Sequence, residues 1–223
     1  MSVYSDREPS LDTRVQNRRR TSLLVGLILV CGLVECTLTL ADRGVIGSTH
    51  WRRYAYEFGG FWPGLLRSWL PNYPQQPYAM FFSYGFLHGG FLHMAVNMVT
   101  LWSLGRVVLE RVGIRGFAVL YLAAMLGGAG AFGMLADTLQ PMVGASGALF
   151  GLAGGVLAWN YVDRFTLREK LWPVARAVGL LILMNIVMWW ALDGQMAWQT
   201  HLGGFLSGWT FALLIDPRGR NDP

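Results

Sequence analysis

Long apolar runs, separated by clusters of arginine, glycine and proline, set the first expectation for this chain. A helix needs about 20 mostly apolar residues to cross a bilayer. Six runs approach that length: 22–41, 91–110, 116–136, 146–162, 175–192 and 199–215. Polar residues interrupt the second run, and the last is short and stops at "DPRGR". The expected architecture is an all-α membrane protein, a six-transmembrane-helix bundle over residues 22–216. A basic N-terminal tail (1–21) and a short tail (217–223) flank it, both cytoplasmic.

Composition supports this picture. Of the 223 residues, 53% are hydrophobic and 14% charged, well below the roughly 25% charged residues of a soluble domain. The 28 glycines suit close helix packing in lipid. A net charge of +5 would be compatible with nucleic acid, but the basic residues follow membrane topology instead. With the N-terminus inside, the cytoplasmic segments hold Arg7, Arg14, Arg18–Arg20, Arg106, Arg111, Arg115, Arg164, Arg168, Lys170, Arg176, Arg218 and Arg220. The other side has only Arg43, Arg52, Arg53 and Arg67, all in one loop. This asymmetry is the positive-inside pattern, and no nucleic-acid partner is implied. The first run exceeds a signal-peptide core and lacks a good cleavage site, so it reads as a signal-anchor. Cys31 and Cys36 are spaced to point apart on a helix, which argues against a disulfide.

The loop over about 42–90 is too long for a turn and holds 13 of the 30 aromatic residues. Aromatic residues favour the headgroup region. A loop partly sunk in the membrane is expected, with "FWPGLLRSWL" (61–70) as a short interfacial helix.

Topology brings particular polar residues together. Runs two, four and six begin on the same side, and near those starts stand His88, His93 and Asn97, then Ser146, then His201. Buried polar groups without partners cost on the order of 2–7 kcal/mol, so a shared depth is most easily explained by mutual hydrogen bonding. His93 and Asn97 are i, i+4 and lie on one helical face. Gly204 and Gly208 let the last helix approach the glycine-rich face Gly147, Gly151, Gly154 and Gly155 of the fourth. Ser146 and His201 are thereby expected to meet. A neutral imidazole in reach of a serine hydroxyl makes it a nucleophile. No acid is placed to orient the imidazole, since Asp137 and Asp193 fall in loops, so a two-residue dyad is expected. The Asn97 amide, the His93 ring and the Ser146 N–H, unpaired in the first turn of its helix, supply donors for an oxyanion.

The motifs "HGGFLHMAVNM", "GASGALFG" and "HLGGFLSG", in this order on alternate runs, resemble the rhomboid family of intramembrane serine proteases from about residue 75 to 216. The resemblance implies a rhomboid-like bundle with a long membrane-embedded first loop, Ser146 as nucleophile and His201 as general base. It also implies His93, Asn97 and the Ser146 amide as oxyanion hole, with His88 in a supporting role. Phe150 matches an aromatic that packs on the catalytic imidazole, and Gly144 a glycine that leaves room beside the nucleophile. Members often carry a Trp-Arg pair in the first loop; the equivalent region here reads "QPYAMFF", without arginine. The segment "MNIVMWWALDGQMAW" is expected to admit substrate sideways, with Trp189, Trp190 and Trp198 as interface anchors.

Three histidines share a level, but no HExxH pattern joins them, so neither metal nor other cofactor is expected. Glu35, midway along the first run, costs about 2.5–3.5 kcal/mol on insertion; it is read as a protonated acid bonded to a neighbouring helix. The function expected is intramembrane endopeptidase action on transmembrane protein substrates in the lipid bilayer. Water would arrive through a polar cavity beneath the fifth loop. The compact core suggests a bacterial inner membrane, with mitochondrial and eukaryotic secretory membranes as the alternatives. A catalytically silent client-binding protein and a transporter are the alternatives; a transporter calls for inverted repeats or broken helices, which are not evident.

Overall fold

The computed structural model describes residues 11–216, so the tail residues 1–10 and 217–223 lie outside the described residues. Its regular structure is helical: α1 (Leu11–Asp42), α2 (Trp51–Gly59), α3 (Gln76–Ser83), α4 (Phe91–Leu135), α5 (Ser146–Thr166), α6 (Trp172–Ala191) and α7 (Trp198–Ile215). Short 3-10 turns stand at Pro63–Leu66 and Tyr84–Phe86. Residues 11–21, expected as tail, are already helical. Among the described residues, three helices are long and apolar enough to cross a membrane: α1 from Val15, α4 and α6.

The runs expected as separate helices, 91–110 and 116–136, are the two helical stretches of α4, which meet at a kink at Gly113. This residue has φ 69° and ψ −173°, a region closed to most side chains but open to glycine. Nothing lies within 4 Å of a Cβ built there. Backbone conformation, rather than lack of space, therefore requires the glycine.

The expected interfacial helix over 61–70 is absent. Pro63 and the following residues make only a 3-10 turn, and the Trp69 ring occupies the place where a Cβ of Gly64 would stand. The helices of this loop are α2 and α3, on either side. Between them Phe61 pairs with Met142, each N–H donating to the other's carbonyl at 2.9 Å. Phe61 is fully buried and meets Phe81, Tyr84 and Phe132 edge-on. The loop is thus fastened to the segment that leads into α5.

The core is the seam between α5 and α7, with α4 packed against both. A Cβ on Gly204 would collide with the carbonyl of Gly147, and one on Gly208 with the carbonyl of Gly151. From the other side, a Cβ on Gly154 would collide with the Phe205 carbonyl. Lipid tails are as apolar as leucine, so association there depends on such close van der Waals fit. At the end of the bundle away from Ser146, Arg111 joins three helices. It donates to Asp163 of α5 at 3.0 Å and to Asp216 beyond α7 at 2.9 Å, with its guanidinium over Trp159. By contrast α6 buries only Val174.

Glu35 is fully buried, and its pairing differs from the expected one. It faces the Arg52 guanidinium of α2, at 2.7 and 3.1 Å, and accepts from Thr39 at 2.9 Å. The partner is a cation, so the contact is ionic rather than that of a protonated acid. The physical reason is proximity: α2 folds back along α1 and brings an arginine to the carboxylate.

Candidate active site

Ser146 is the first residue of α5 and His201 lies in the first turn of α7. The glycine seam sets the separation of these two helix starts. His201 Nε2 stands 2.9 Å from Ser146 Oγ. The Phe150 ring, one turn along α5, stacks on the His201 ring at 4.1 Å between centroids and 9° between planes. That stacking confines the imidazole to one plane.

The His201 ring has a second partner that sequence reasoning missed. Nδ1 lies 2.6 Å from Oδ1 of Asn185 on α6. Asn185 and His201 are separated by a loop in sequence, and no motif joins them. A polar residue inside an apolar run was the available signal.

His93 and Asn97 face the turn before Ser146. Gly144, at φ 129°, sits there because a Cβ would come within 2.8 Å of His93 Cε1 and 3.1 Å of Nε2. The Gly89 N–H donates to His93 Nδ1 at 3.2 Å. A neutral ring that accepts at Nδ1 carries its proton on Nε2, so the donor side of His93 points at Gly144. Asn97 is buried, and its Nδ2 is without a hydrogen-bond partner. The His93 Nε2 side and the Asn97 amide thus face the same turn beside the serine, and the Asn97 Nδ2 is buried there without an acceptor. Such unsatisfied buried groups are uncommon and call for an explanation. The turn itself is held by Tyr84, whose carbonyl accepts from the Gly144 N–H at 3.0 Å. The Tyr84 hydroxyl donates to the Met125 carbonyl at 2.8 Å.

His88 is fully buried and lies edge-on to His93, 5.4 Å between centroids. Burial, reinforced by His93 alongside, lowers its pKa to about 4, so it stands neutral at physiological pH. Its carbonyl accepts from Arg52 Nη1 at 3.0 Å and from the Tyr56 hydroxyl at 2.6 Å. The hydrogen bond to Glu35 holds Arg52 even more firmly protonated than free arginine. The "QPYAMFF" region lacks an arginine, but one arrives at the histidine motif from α2.

Beside His201, between α6 and α7, opens a cavity of about 610 Å³. Leu181, Ile182, Ile186 and Phe205 are among the residues lining it, with Asn185 and His201 as polar members. It is apolar, because α6 presents aliphatic side chains along this face.

Apolar helices of spanning length around a buried polar cluster define an integral membrane protein. The rhomboid domain family matches residues 75–218, most of the chain and all the residues of this cluster except Glu35, Arg52 and Tyr56; the chain belongs to the rhomboid family. It is 34% identical over 136 residues to RHOMBOID-like protein 5 of Arabidopsis thaliana, covering 59% of this chain and 43% of that one. It is 32% identical over 129 residues to Rhomboid protease GluP of Bacillus subtilis (strain 168), covering 58% and 24%. Rhomboid-like protease 1 of Toxoplasma gondii is 28% identical over 140 residues, covering 62% and 47%. The matched part of this chain thus spans less than half the length of each of these relatives.

Proposed function

We propose that this protein is an intramembrane serine endopeptidase acting on transmembrane segments of other proteins. The observation that carries the reading is the 2.9 Å approach of His201 Nε2 to Ser146 Oγ, beside the buried, unpartnered Asn97 amide. In the reaction, Ser146 Oγ attacks the scissile carbonyl carbon while His201 Nε2 takes the hydroxyl proton. The tetrahedral oxyanion is received by His93 Nε2–H, Asn97 Nδ2–H and the Ser146 N–H. His201 then returns the proton to the leaving amine, and water hydrolyses the acyl-serine by the same steps. The names of Rhomboid protease GluP and Rhomboid-like protease 1 agree with such chemistry.

The same reading takes the chain as crossing the membrane six times. The crossings are α1, the two halves of α4, α5, α6 and α7, with both ends on the cytoplasmic face. The substrate helix unwinds locally at the site, since its own hydrogen bonds otherwise occupy the scissile carbonyl. Substrates accordingly carry small or helix-breaking residues near the cut.

The test is cleavage of a transmembrane reporter protein in proteoliposomes, with fluorophosphonate labelling of the same samples. Wild type is expected to cut and label, Ser146→Ala to do neither, and His201→Ala to lose cleavage by at least about 1,000-fold. A folded wild type that neither cuts nor labels would leave the silent client-binding reading in its place.

A further inference from the structure

We propose that Asn185 of α6 is the positioning residue that sets the tautomer and plane of the general base. The inference rests on the peptidase reading above and adds a third member to its dyad.

The argument is one of donor and acceptor roles. Asn185 Nδ2 lies 2.9 Å from the carbonyl oxygen of Leu181. A carbonyl can only accept, so the amide nitrogen is on that side and Oδ1 is the atom that faces His201. An amide oxygen also only accepts. The His201 Nδ1 at 2.6 Å therefore carries the ring proton. In a neutral imidazole the other nitrogen is then the bare one. That nitrogen, Nε2, is the one 2.9 Å from Ser146 Oγ. The chain Leu181 O, Asn185 amide, His201 ring, Ser146 hydroxyl has one consistent direction, and it ends with a lone pair at the nucleophile's proton. With Nδ1 bare instead, two acceptors would face each other across 2.6 Å and Nε2–H would point at the serine with no basic electron pair. After proton transfer the same amide oxygen stays hydrogen-bonded to the positively charged ring, the role an orienting amide plays in cysteine–histidine–asparagine sites.

Position strengthens the case. Phe150 fixes the ring plane from α5 but does not distinguish the two nitrogens, since stacking is blind to the proton. Only a group in the ring plane, at the nitrogen remote from Ser146, does so. Asn185 occupies that place, while its neighbours Met184 and Ile186 are exposed apolar residues. An isolated amide on an otherwise lipid-facing helix is costly unless partnered; here Nδ2 donates to the Leu181 carbonyl and Oδ1 faces the base.

The experiment compares Asn185→Leu and Asn185→Asp with wild type and Ser146→Ala in the proteoliposome assay. The 15N resonances of the His201 ring, assigned by difference from His201→Ala, are recorded alongside unfolding temperature. Leucine matches the asparagine in size and suits the cavity, so folding is retained. Expected for Asn185→Leu are a kcat lower by roughly 10–100-fold, a KM within about twofold, and loss of the Nδ1–H tautomer from the spectrum. Asn185→Asp keeps an acceptor at the same atom and is expected to return most of the lost kcat. Asn185→Leu with wild-type kcat, beside an inert Ser146→Ala, would overturn this proposal alone. So would equal losses in both variants accompanied by a lower unfolding temperature, the mark of a structural role. A wild type that does not cleave would overturn the peptidase reading and this proposal with it.

Discussion

The seam between α5 and α7 and the flank formed by α6 are both apolar and helical, yet they are held in different ways. Along the seam, glycines bring backbones together until a single methyl group has no room. On α6 one residue is buried, and Gly179 has nothing within 4 Å of where a Cβ would sit. Lipid is an adequate partner for an aliphatic side chain but not for a packed backbone. The bundle can therefore hold Ser146 and His201 at a set distance while leaving α6 largely to the surrounding lipid. The proposed dyad thus stands on the seam, and Asn185 reaches it from the loosely packed side.

One identical substitution in each region gives the largest expected contrast. Gly204→Ala drives a Cβ into the Gly147 carbonyl, which belongs to backbone and cannot rotate away. A loss of about 3 kcal/mol or more is expected, at the upper end of overpacking costs, with cleavage lost as the seam opens. Gly179→Ala on α6 is expected to be neutral or to stabilise by about 0.5–1 kcal/mol, through helix propensity alone. Reversible unfolding in mixed detergent micelles reads both; equal effects would remove the distinction between the two regions.

A smaller effect is expected where the first loop is tied to α1. Arg52→Ala leaves the buried Glu35 carboxylate without its cation and frees the His88 carbonyl from one of its donors. Breaking a buried pair costs about 3–5 kcal/mol; Arg52 retains some water contact, so about 2–3 kcal/mol is expected. Glu35→Gln in the same chain should recover part of this, because the unpaired charge is the larger share. A double-mutant cycle measures the coupling, and strictly additive losses would show that the pair contributes nothing as a pair.

The smallest contrast removes apolar atoms from each region. Leu152→Ala on α5, fully buried, is expected to cost about 2–3 kcal/mol, mainly as lost packing around a cavity. Leu183→Ala on α6, 54% exposed, should stay within about 0.5 kcal/mol. Comparable losses at both positions would mean that α6 packs on something more specific than lipid.

Much of this was readable from residue order. The apolar runs, the glycines of α5 and α7, and the depth shared by His93, Asn97, Ser146 and His201 follow from helical period and topology, which are local properties. The three motifs also made the family resemblance plain before any coordinates. Other features lay beyond that reach. The backbone conformation of Gly113 sets the kink at which the two helical stretches of α4 meet. Pro63 and the ring of Trp69 replace an expected helix with a turn. Arg52 reaches Glu35 and the His88 carbonyl across 17 and 36 positions of sequence.

The distinction is physical. Periodicity and polarity state which residues a helix must turn away from lipid, and those demands belong to each segment alone. Which partner satisfies them depends on rotation, tilt and loop path, and these are settled when all the segments pack at once. Ser146 and His201 announced themselves because both sit at the heads of glycine-rich helices with matching topology. Asn185 carried no such context; its meaning comes from a 2.6 Å approach to one ring nitrogen, which exists only after α6 has taken its place beside α7.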